Sequence, residues 1–237
     1  MKPKNLIIGA GIGGLTSAIA LRRAQFDVEV FERAPDLKEV GAGIALSPNA
    51  MRVLKHLGLM QQVGERGTAI KAAVGYTWRG RELSRLATNL MDVPSVCLHR
   101  ADLQQVLVSA LPPECVHLGD QFVAFRQSAG SVTARFASGR TATGDALIGA
   151  DGLRSKVRTQ LLDDGEPTYR GYQCWRGVCS LQTGDVLTET FGRGVRMGVV
   201  PLGQRGTATR EMSGHVPGAL PKINELLAEM NTIRRQC

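Results

Sequence analysis

An α/β fold, a doubly wound parallel sheet accompanied by an incomplete β-rich second domain, is predicted by three features of the sequence. The apolar run Lys4 to Gly9 ends in glycine and leads into Gly11, Gly13 and Gly14. Leu15, Ala18, Ile19 and Leu21 then recur at helical spacing, and Val28 to Glu32 forms a second apolar run ending on an acid. Strand, helix and strand in that order place the two strands parallel, because the crossover between them is a helix of about a dozen residues.

The remaining elements follow in chain order. Pro35 to Pro48 holds two prolines and two glycines and reads as a loop that passes close to a ligand. Asn49 to Leu57 returns to helix, and the alternation after Ala69 predicts a strand and hairpin up to Arg81. Arg100 to Leu111 reads as a helix with Leu103, Val106 and Leu107 on one face. FVAFRQ, SVTARFA, RTATG and DALIGAD lie between glycine or serine turns, so they read as a meander that closes on a buried strand, Ala146 to Ala150.

Asp151 to Leu162 is read as helix. Tyr169 to Leu181, Val186 to Phe191 and Arg196 to Leu202 alternate polar and apolar residues, which predicts a second sheet. From Gly203 to Gly218 the chain is polar and glycine-rich, and Lys222 to Ile233 reads as a lone amphipathic helix. The domain expectation is therefore a nucleotide-binding unit over residues 1–167, a partial sheet over 168–202 and an atypical tail over 203–237.

Composition narrows the partners. With 43% hydrophobic residues and 29 basic against 21 acidic side chains in 237, disorder is excluded. Arginine supplies 22 of the basic residues, scattered along the chain, and suits an anionic small molecule. An aromatic content of 5% argues against a base-stacking nucleic-acid surface. No run approaches the roughly eighteen apolar residues of a membrane helix, and the N-terminus lacks a signal-peptide pattern, so a cytoplasmic protein off the membrane is expected. Cys97, Cys115, Cys174, Cys179 and Cys237 are odd in number and lack C-x-x-C spacing, which argues against a disulfide framework or metal site. The four histidines form no triad or ligand pair. Nothing in the sequence sets an oligomeric state.

Gly9-Ala10-Gly11-Ile12-Gly13-Gly14 is G-x-G-x-x-G directly after a strand and at the opening of a helix. Gly9 permits the tight turn, Gly11 lets a pyrophosphate approach the backbone, and Gly14 lets the helix pack close to the strand. The free N–H groups and the positive end of the helix dipole face the phosphates. Glu32, ending the second strand, can accept hydrogen bonds from a ribose, and its charge opposes a 2′-phosphate. FAD and NAD both fit this much.

The remainder of the chain carries a resemblance. The spacing from Gly14 to Glu32 with Arg33 after it, GAGIALSPNAMRVLKHLGL from Gly41, LHRADLQQVL from Leu98, ALIGADGLRSKVR from Ala146, YRGYQCWRGV from Tyr169 and GRGVRMGVVPL occur in order. Together they resemble the class A flavoprotein monooxygenases, the aromatic hydroxylase family that includes salicylate, hydroxybenzoate and urate hydroxylases. ALIGADGLRSKVR is similar to that family's D-G-x-x-S-x-x-R motif through Asp151, Gly152, Ser155 and Arg158.

The resemblance implies a Rossmann-like FAD-binding fold and NAD(P)H-driven hydroxylation of a small aromatic substrate through a flavin hydroperoxide, with NADH or NADPH as a transient reductant. By position, Gly11, Gly13, Glu32 and Arg33 would hold the ADP half, and the Gly43 to Ala45 loop would pass near the flavin ring. Arg100 would reach the pyrophosphate or ribityl region, and Phe122 would offer backbone contacts near the adenine. Asp151 would order the phosphate-proximal loop, as a helix N-cap or beside the cofactor. Arg176 and Arg196 would be the catalytic residues, lying in the substrate sheet where an arginine can bind a carboxylate or phenolate and stabilise developing anionic charge, and Tyr172 and Trp175 would wall an aromatic pocket.

The chain also departs from that family. The further G-D-A-x-H motif is absent, since Gly119-Asp120, Gly144-Asp145 and Gly184-Asp185 lack its histidine. The expectation is a C-terminally shortened member with a poorly shielded flavin and impaired turnover. The alternatives are a nonenzymatic FAD- or ADP-binding remnant and a nicotinamide-dependent dehydrogenase.

Overall fold

The computed structural model of the protein describes residues 2–37, 43–88, 90–171, 173–180, 183–203 and 207–214. The helix expected at Lys222–Ile233, Tyr172 and the side chain of Trp175 lie outside the described residues. The N-terminal unit begins β1 (Lys4–Ile8), α1 (Ile12–Arg23), β2 (Asp27–Glu32). It continues through β3 (Gly43–Leu46), α2 (Pro48–His56), α3 (Met60–Arg66), β4 (Thr68–Ile70), β5 (Ala72–Thr77), β6 (Glu82–Ala87) and β7 (Ser95–His99). Next come α4 (Arg100–Ser109), β8 (Val116–Leu118), β9 (Phe122–Ser128), β10 (Ser131–Phe136), β11 (Thr141–Gly144), β12 (Ala146–Gly149) and α5 (Lys156–Leu162). Four strands end the described chain: β13 (Gln173–Ser180), β14 (Val186–Phe191), β15 (Val195–Pro201) and β16 (Thr207–Gly214).

Among the described residues the strands form four sheets. A parallel sheet has the order β12-β1-β2-β8, and β1 pairs in parallel with β2 from Lys4 opposite Asp27 to Ile8 opposite Phe31. That pairing is the one the helical crossover requires. Helix α1 ends in a Schellman turn: Phe26 N–H donates to Leu21, Gln25 N–H donates to Arg22, and Gln25 takes φ +67°. Arg22 and Arg23 occupy its last turn, where cations suit the helix dipole.

Alternation along β1 divides the interior into two cores. Ile7 points into a cluster with Leu15, Ala18, Val28, Val30, Leu98, Leu103 and Leu107, so the sheet is sealed on that side by α1 and α4. Leu6 and Ile8 point the other way, into a cluster with Phe31, Phe122, Phe136 and Val157 beneath the three-stranded meander β11-β10-β9. Both faces of the central strands are covered, as a parallel sheet requires.

Several elements differ from the sequence-based expectations. Within the stretch read as a loop, Gly43–Leu46 is a strand, because β3 pairs antiparallel with β7, Gly43 opposite His99. Helix α3 and strand β7 were not anticipated; both are short, and β7 owes its conformation to pairing with two distant strands. Strand β12 leaves the meander to pair in parallel with β1, and it is half-exposed rather than buried because it borders the sheet. The helix after Asp151 begins only at Lys156.

The second sheet has six strands in the order β13-β16-β15-β14-β5-β6. It draws β5 and β6 from well before residue 168. It also draws β16 from the polar stretch after Gly203, and β16 pairs along its whole length with β13 and from Ala208 to Gly214 with β15. Polarity hid that strand in the sequence: Thr-Ala-Thr-Arg-Glu-Met-Ser-Gly carries no strong apolar alternation, and its backbone is held by two neighbours.

Candidate functional site

The glycine loop joins β1 to α1 through close backbone contact. Gly9 has φ +106°, and a Cβ there would lie 2.4 Å from the Ala150 carbonyl oxygen. A Cβ on Gly14 would lie 1.9 Å from the carbonyl oxygen of Gly9, which is why the helix can rest on the strand only with glycine at that position. Gly11 and Gly13 behave oppositely, since a Cβ on either meets nothing within 4 Å. Gly11 is the N-cap of α1 without a side-chain cap, and the first turn holds no acid. The first N–H groups of α1 therefore face open space, the arrangement that receives a phosphate.

Glu32 closes this loop. Its Oε2 accepts from Ala10 N–H at 2.8 Å, and its Oε1 accepts from Ala34 N–H at 3.0 Å. The carboxylate keeps lone pairs free on both oxygens, so anchoring the loop and accepting ribose hydroxyls are compatible. Arg33, next in sequence, is exposed. The strand end is fixed by Asp120 N–H donating to the Glu32 carbonyl and Gly119 N–H donating to the Ala34 carbonyl.

Helix α4 supplies the other side of the loop. Gln104 Nε2 donates to the Ala10 carbonyl at 2.9 Å, a contact the sequence reading did not assign. Arg100 is exposed at the first position of α4, whose N-cap His99 accepts from Ala101 N–H at 3.3 Å through Nδ1. Arg100 and Gln104 are one turn apart and share a face, so Arg100 stands on the side of α4 that meets the glycine loop. The spacing of Arg100 and Gln104 in LHRADLQQVL was the available signal.

Asp151 is engaged with α5. Its Oδ1 accepts from Ser155 Oγ at 2.5 Å, and its Oδ2 accepts from the N–H groups of Lys156 at 2.7 Å and Val157 at 3.3 Å. Ser155 is the N-cap proper, accepting from Arg158 N–H at 2.9 Å. The D-G-x-x-S-x-x-R spacing is thus a two-residue capping network, which positions the Ala150–Asp151 backbone against Gly9. Phe122 buries its ring edge-on to Phe136, centroids 6.4 Å apart, so only its backbone is available to a ligand.

Two clefts flank these elements. One of about 200 Å³ lies along α4, lined in part by Arg66, Asp102 and Gln104. The other, about 240 Å³, has Gly43, Ile44 and Ala45 of β3 on one wall and Arg176, Glu189 and Gly198 of the six-stranded sheet on the other. The fold therefore brings Gly43, Ala45 and Arg176 to one place. Arg196 does not line this cleft; its Nη1 pairs at 3.1 Å with Oε1 of Glu189, which does. Glu189 went unassigned, because one acid in an alternating strand carries no motif.

The electrostatics beside the site are quiet. Cys97 on β7, opposite Ala45, is buried, and that burial pushes its thiol pKa up to about 12, so it stays protonated and inert at neutral pH. Among the described residues no group of three or more His, Cys, Asp or Glu side chains has metal-binding geometry. Among the same residues no helix is long and apolar enough to cross a membrane.

Comparison with known proteins agrees with this geometry. Residues 3–172 match a family model described as FAD binding domain. The chain is 43% identical over 209 residues to an aurachin C monooxygenase/isomerase of Stigmatella aurantiaca, covering 85% of this chain and 55% of that protein. It is 40% identical over 178 residues to a 3-amino-4-hydroxybenzoate 2-monooxygenase of Streptomyces cremeus, covering 73% and 45% respectively. The crystal structure of Klebsiella pneumoniae HpxO complexed with FAD and uric acid superposes with a TM-score of 0.83 at 27% identity. That superposition covers 92% of this chain and 58% of the other. The chain spans about half the length of these two curated relatives.

Proposed function

The chain belongs to the FAD-binding family of class A flavoprotein monooxygenases, and from that premise we propose that it binds FAD and serves NAD(P)H-driven hydroxylation of a small aromatic or heteroaromatic substrate. The observation that carries the proposal is the glycine cradle. Gly9 and Gly14 admit no Cβ, while Gly11 and Gly13 leave open space before an uncapped helix N-terminus. That donor set and that space fit a pyrophosphate. Bound FAD would supply the electron transfer and oxygen activation that side chains do not.

The chain's own residues have the tasks of holding and orienting. Gly9, Gly11, Gly13 and Gly14 present backbone to the phosphates, Glu32 accepts from the ribose, and Arg33, Arg100 and Asp151 complete the cofactor side. Phe122 offers its backbone to the adenine. Gly43 and Ala45 bring the β3 backbone up to the flavin. Arg176 binds an anionic oxygen of the substrate, and Arg196 acts with it from the same sheet. Residues 1–167 serve the cofactor, save β5 and β6, which join the later strands in the six-stranded sheet that serves the substrate. Cys97 and Cys115 are buried and reduced, which suits a reducing compartment such as the cytoplasm.

The test sets NADH and NADPH oxidation beside product formation for a panel of hydroxylated aromatic acids and N-heteroaromatics, with and without added FAD. FAD-dependent oxidation that yields hydroxylated product supports the proposal. Oxidation of a substrate coupled to NAD(P)+ reduction, with no dependence on FAD or oxygen, would replace it with the dehydrogenase reading.

A further inference from the structure

Two hairpin turns at one end of the six-stranded sheet carry exposed rings and unmatched cations. Residues 78–81 turn β5 into β6, and residues 192–194 turn β14 into β15. The turns are neighbours, since β14 runs parallel to β5 with Phe191 opposite Thr77, and Trp78 N–H donates to the Phe191 carbonyl. Both are closed by hydrogen bonds, Thr77 N–H to the Arg81 carbonyl and Gly192 N–H to the Val195 carbonyl. Trp78 is 61% exposed, and Phe191 is exposed beside it. The Arg79 guanidinium lies 4.7 Å from the Trp78 ring centroid, and Arg81 and Arg193 are exposed. The acids nearby are matched or set back: Glu82 pairs with Arg85, and Glu189 pairs with Arg196. Glu211 shares the row of Glu189, two residues further from the turns. Among the described residues no ion pair engages Arg79, Arg81 or Arg193.

We propose that this end of the sheet docks on a membrane surface rich in anionic lipid, with Trp78 and Phe191 entering the headgroup boundary and Arg79, Arg81 and Arg193 contacting lipid phosphates. Tryptophan favours that boundary because its ring is apolar and its indole N–H is polar. An arginine stem lies along apolar surface while its head reaches a phosphate. Each basic residue near an anionic leaflet strengthens binding roughly fivefold. Shape favours lipid over the other anionic partners. Two narrow turns project here, whereas a protein partner needs about 800 Å² of matched surface per side and a nucleic acid needs a continuous basic track. A purely charged partner would also leave the two rings without apolar contact. Phe191 shares its face of β14 with Leu187 and Glu189, which line the cleft beside Gly43–Ala45, and two strand residues span about 7 Å. Docking therefore brings one end of that cleft to the lipid surface. The expectation of a protein off the membrane rested on spanning and leader segments, and a surface contact needs neither.

The test is co-sedimentation of the full chain with vesicles of phosphatidylcholine alone and of phosphatidylcholine with about 30% phosphatidylglycerol, read together with tryptophan emission. The wild type should partition onto the anionic vesicles at least about tenfold more strongly than onto the neutral ones, and less strongly as salt rises from about 0.1 to 0.5 M. Its emission should move to shorter wavelength on binding. Arg79→Gln, Arg81→Gln and Arg193→Gln combined should lower the partition at least about tenfold. Trp78→Ser should weaken it and abolish the emission shift, with thermal unfolding unchanged in both variants because all four side chains are exposed. Equal binding to the two kinds of vesicle, binding to neither, or wild-type partition by the triple variant overturns the inference. Binding to heparin without binding to the anionic vesicles also overturns it, and makes the turns a site for a soluble polyanion.

Discussion

Glu32 and Gln104 hold opposite ends of one residue: the Glu32 carboxylate accepts from Ala10 N–H at 2.8 Å, and the Gln104 amide donates to the Ala10 carbonyl at 2.9 Å. Ala10 lies between the two glycines that turn the chain from β1 into α1, so the clamp sets the direction of the amides facing the phosphate site. Gln104→Leu should weaken FAD binding by about 1 kcal/mol, a factor of roughly 5 in Kd. Glu32→Ala, which also removes the ribose acceptor, should cost about 1–3 kcal/mol. Flavin fluorescence titration reads both. Wild-type affinity in Gln104→Leu would show that the loop holds its shape without the clamp.

The glycines of the loop should separate by effect. Gly14→Ala puts a Cβ into the Gly9 carbonyl, so the helix must move; about 1–3 kcal/mol of stability should be lost, with Tm lower by about 5 °C. Gly11→Val fills open space and should leave Tm nearly unchanged while weakening FAD binding by about 1–3 kcal/mol. Thermal unfolding and FAD titration of the two variants should give opposite patterns.

The capping network makes a similar distinction. Ser155→Ala should destabilise the chain by about 1 kcal/mol, and Asp151→Ala by about 1–3 kcal/mol, since the latter releases one hydroxyl and two amides. If Asp151 also orders the cofactor loop, Asp151→Ala lowers FAD affinity at a temperature where the chain remains folded, and Ser155→Ala lowers it less. Equal affinity in both variants and the wild type would restrict Asp151 to capping α5.

A pH effect should arise away from the site. His117 stacks on Phe31 with centroids 4.9 Å apart, lies beside Arg140, and is 3.9 Å from Glu29, which also pairs with Lys4; Asp120 faces it through Arg140. Burial first, and Arg140 second, hold its pKa below the usual 6.5, against the opposing pull of Glu29. The folded chain resists a proton that the unfolded chain accepts, so this contribution is complete above 6.5 and is lost as pH falls through that value toward the folded pKa. Denaturant unfolding between pH 7.5 and 5 should show declining stability, and His117→Phe should flatten the decline. An unchanged slope in that variant would assign the acid sensitivity to other groups.

Legibility in the sequence followed the range of the interactions. The β1-α1-β2 unit was readable because its signals are local: glycines at fixed offsets, one helical stripe, and Glu32 closing the second strand. Arg176 and the Gly43–Ala45 segment were readable only through resemblance, and only the folded chain shows that they share a cleft. Strands β3, β7 and β16 escaped because short or polar segments become strands through distant partners, such as Ala45 opposite Cys97 or Thr209 opposite Val178 and Val200. Glu189 escaped for the same reason, since only the pairing of distant strands brings it to the cleft that Gly43 and Ala45 line.

Every role given above to a cofactor or substrate residue presupposes FAD in the Gly9–Gly14 cradle. The measurement is a titration of the purified 237-residue chain with FAD, followed by flavin fluorescence and the visible spectrum, then repeated against ADP and with Gly11→Val. FAD in the cradle gives saturable binding with a shifted visible band, displacement of FAD by excess ADP, and weakened binding in the variant. Failure to bind either FAD or ADP, or equal binding by Gly11→Val and the wild type, would show that the cradle does not hold the cofactor.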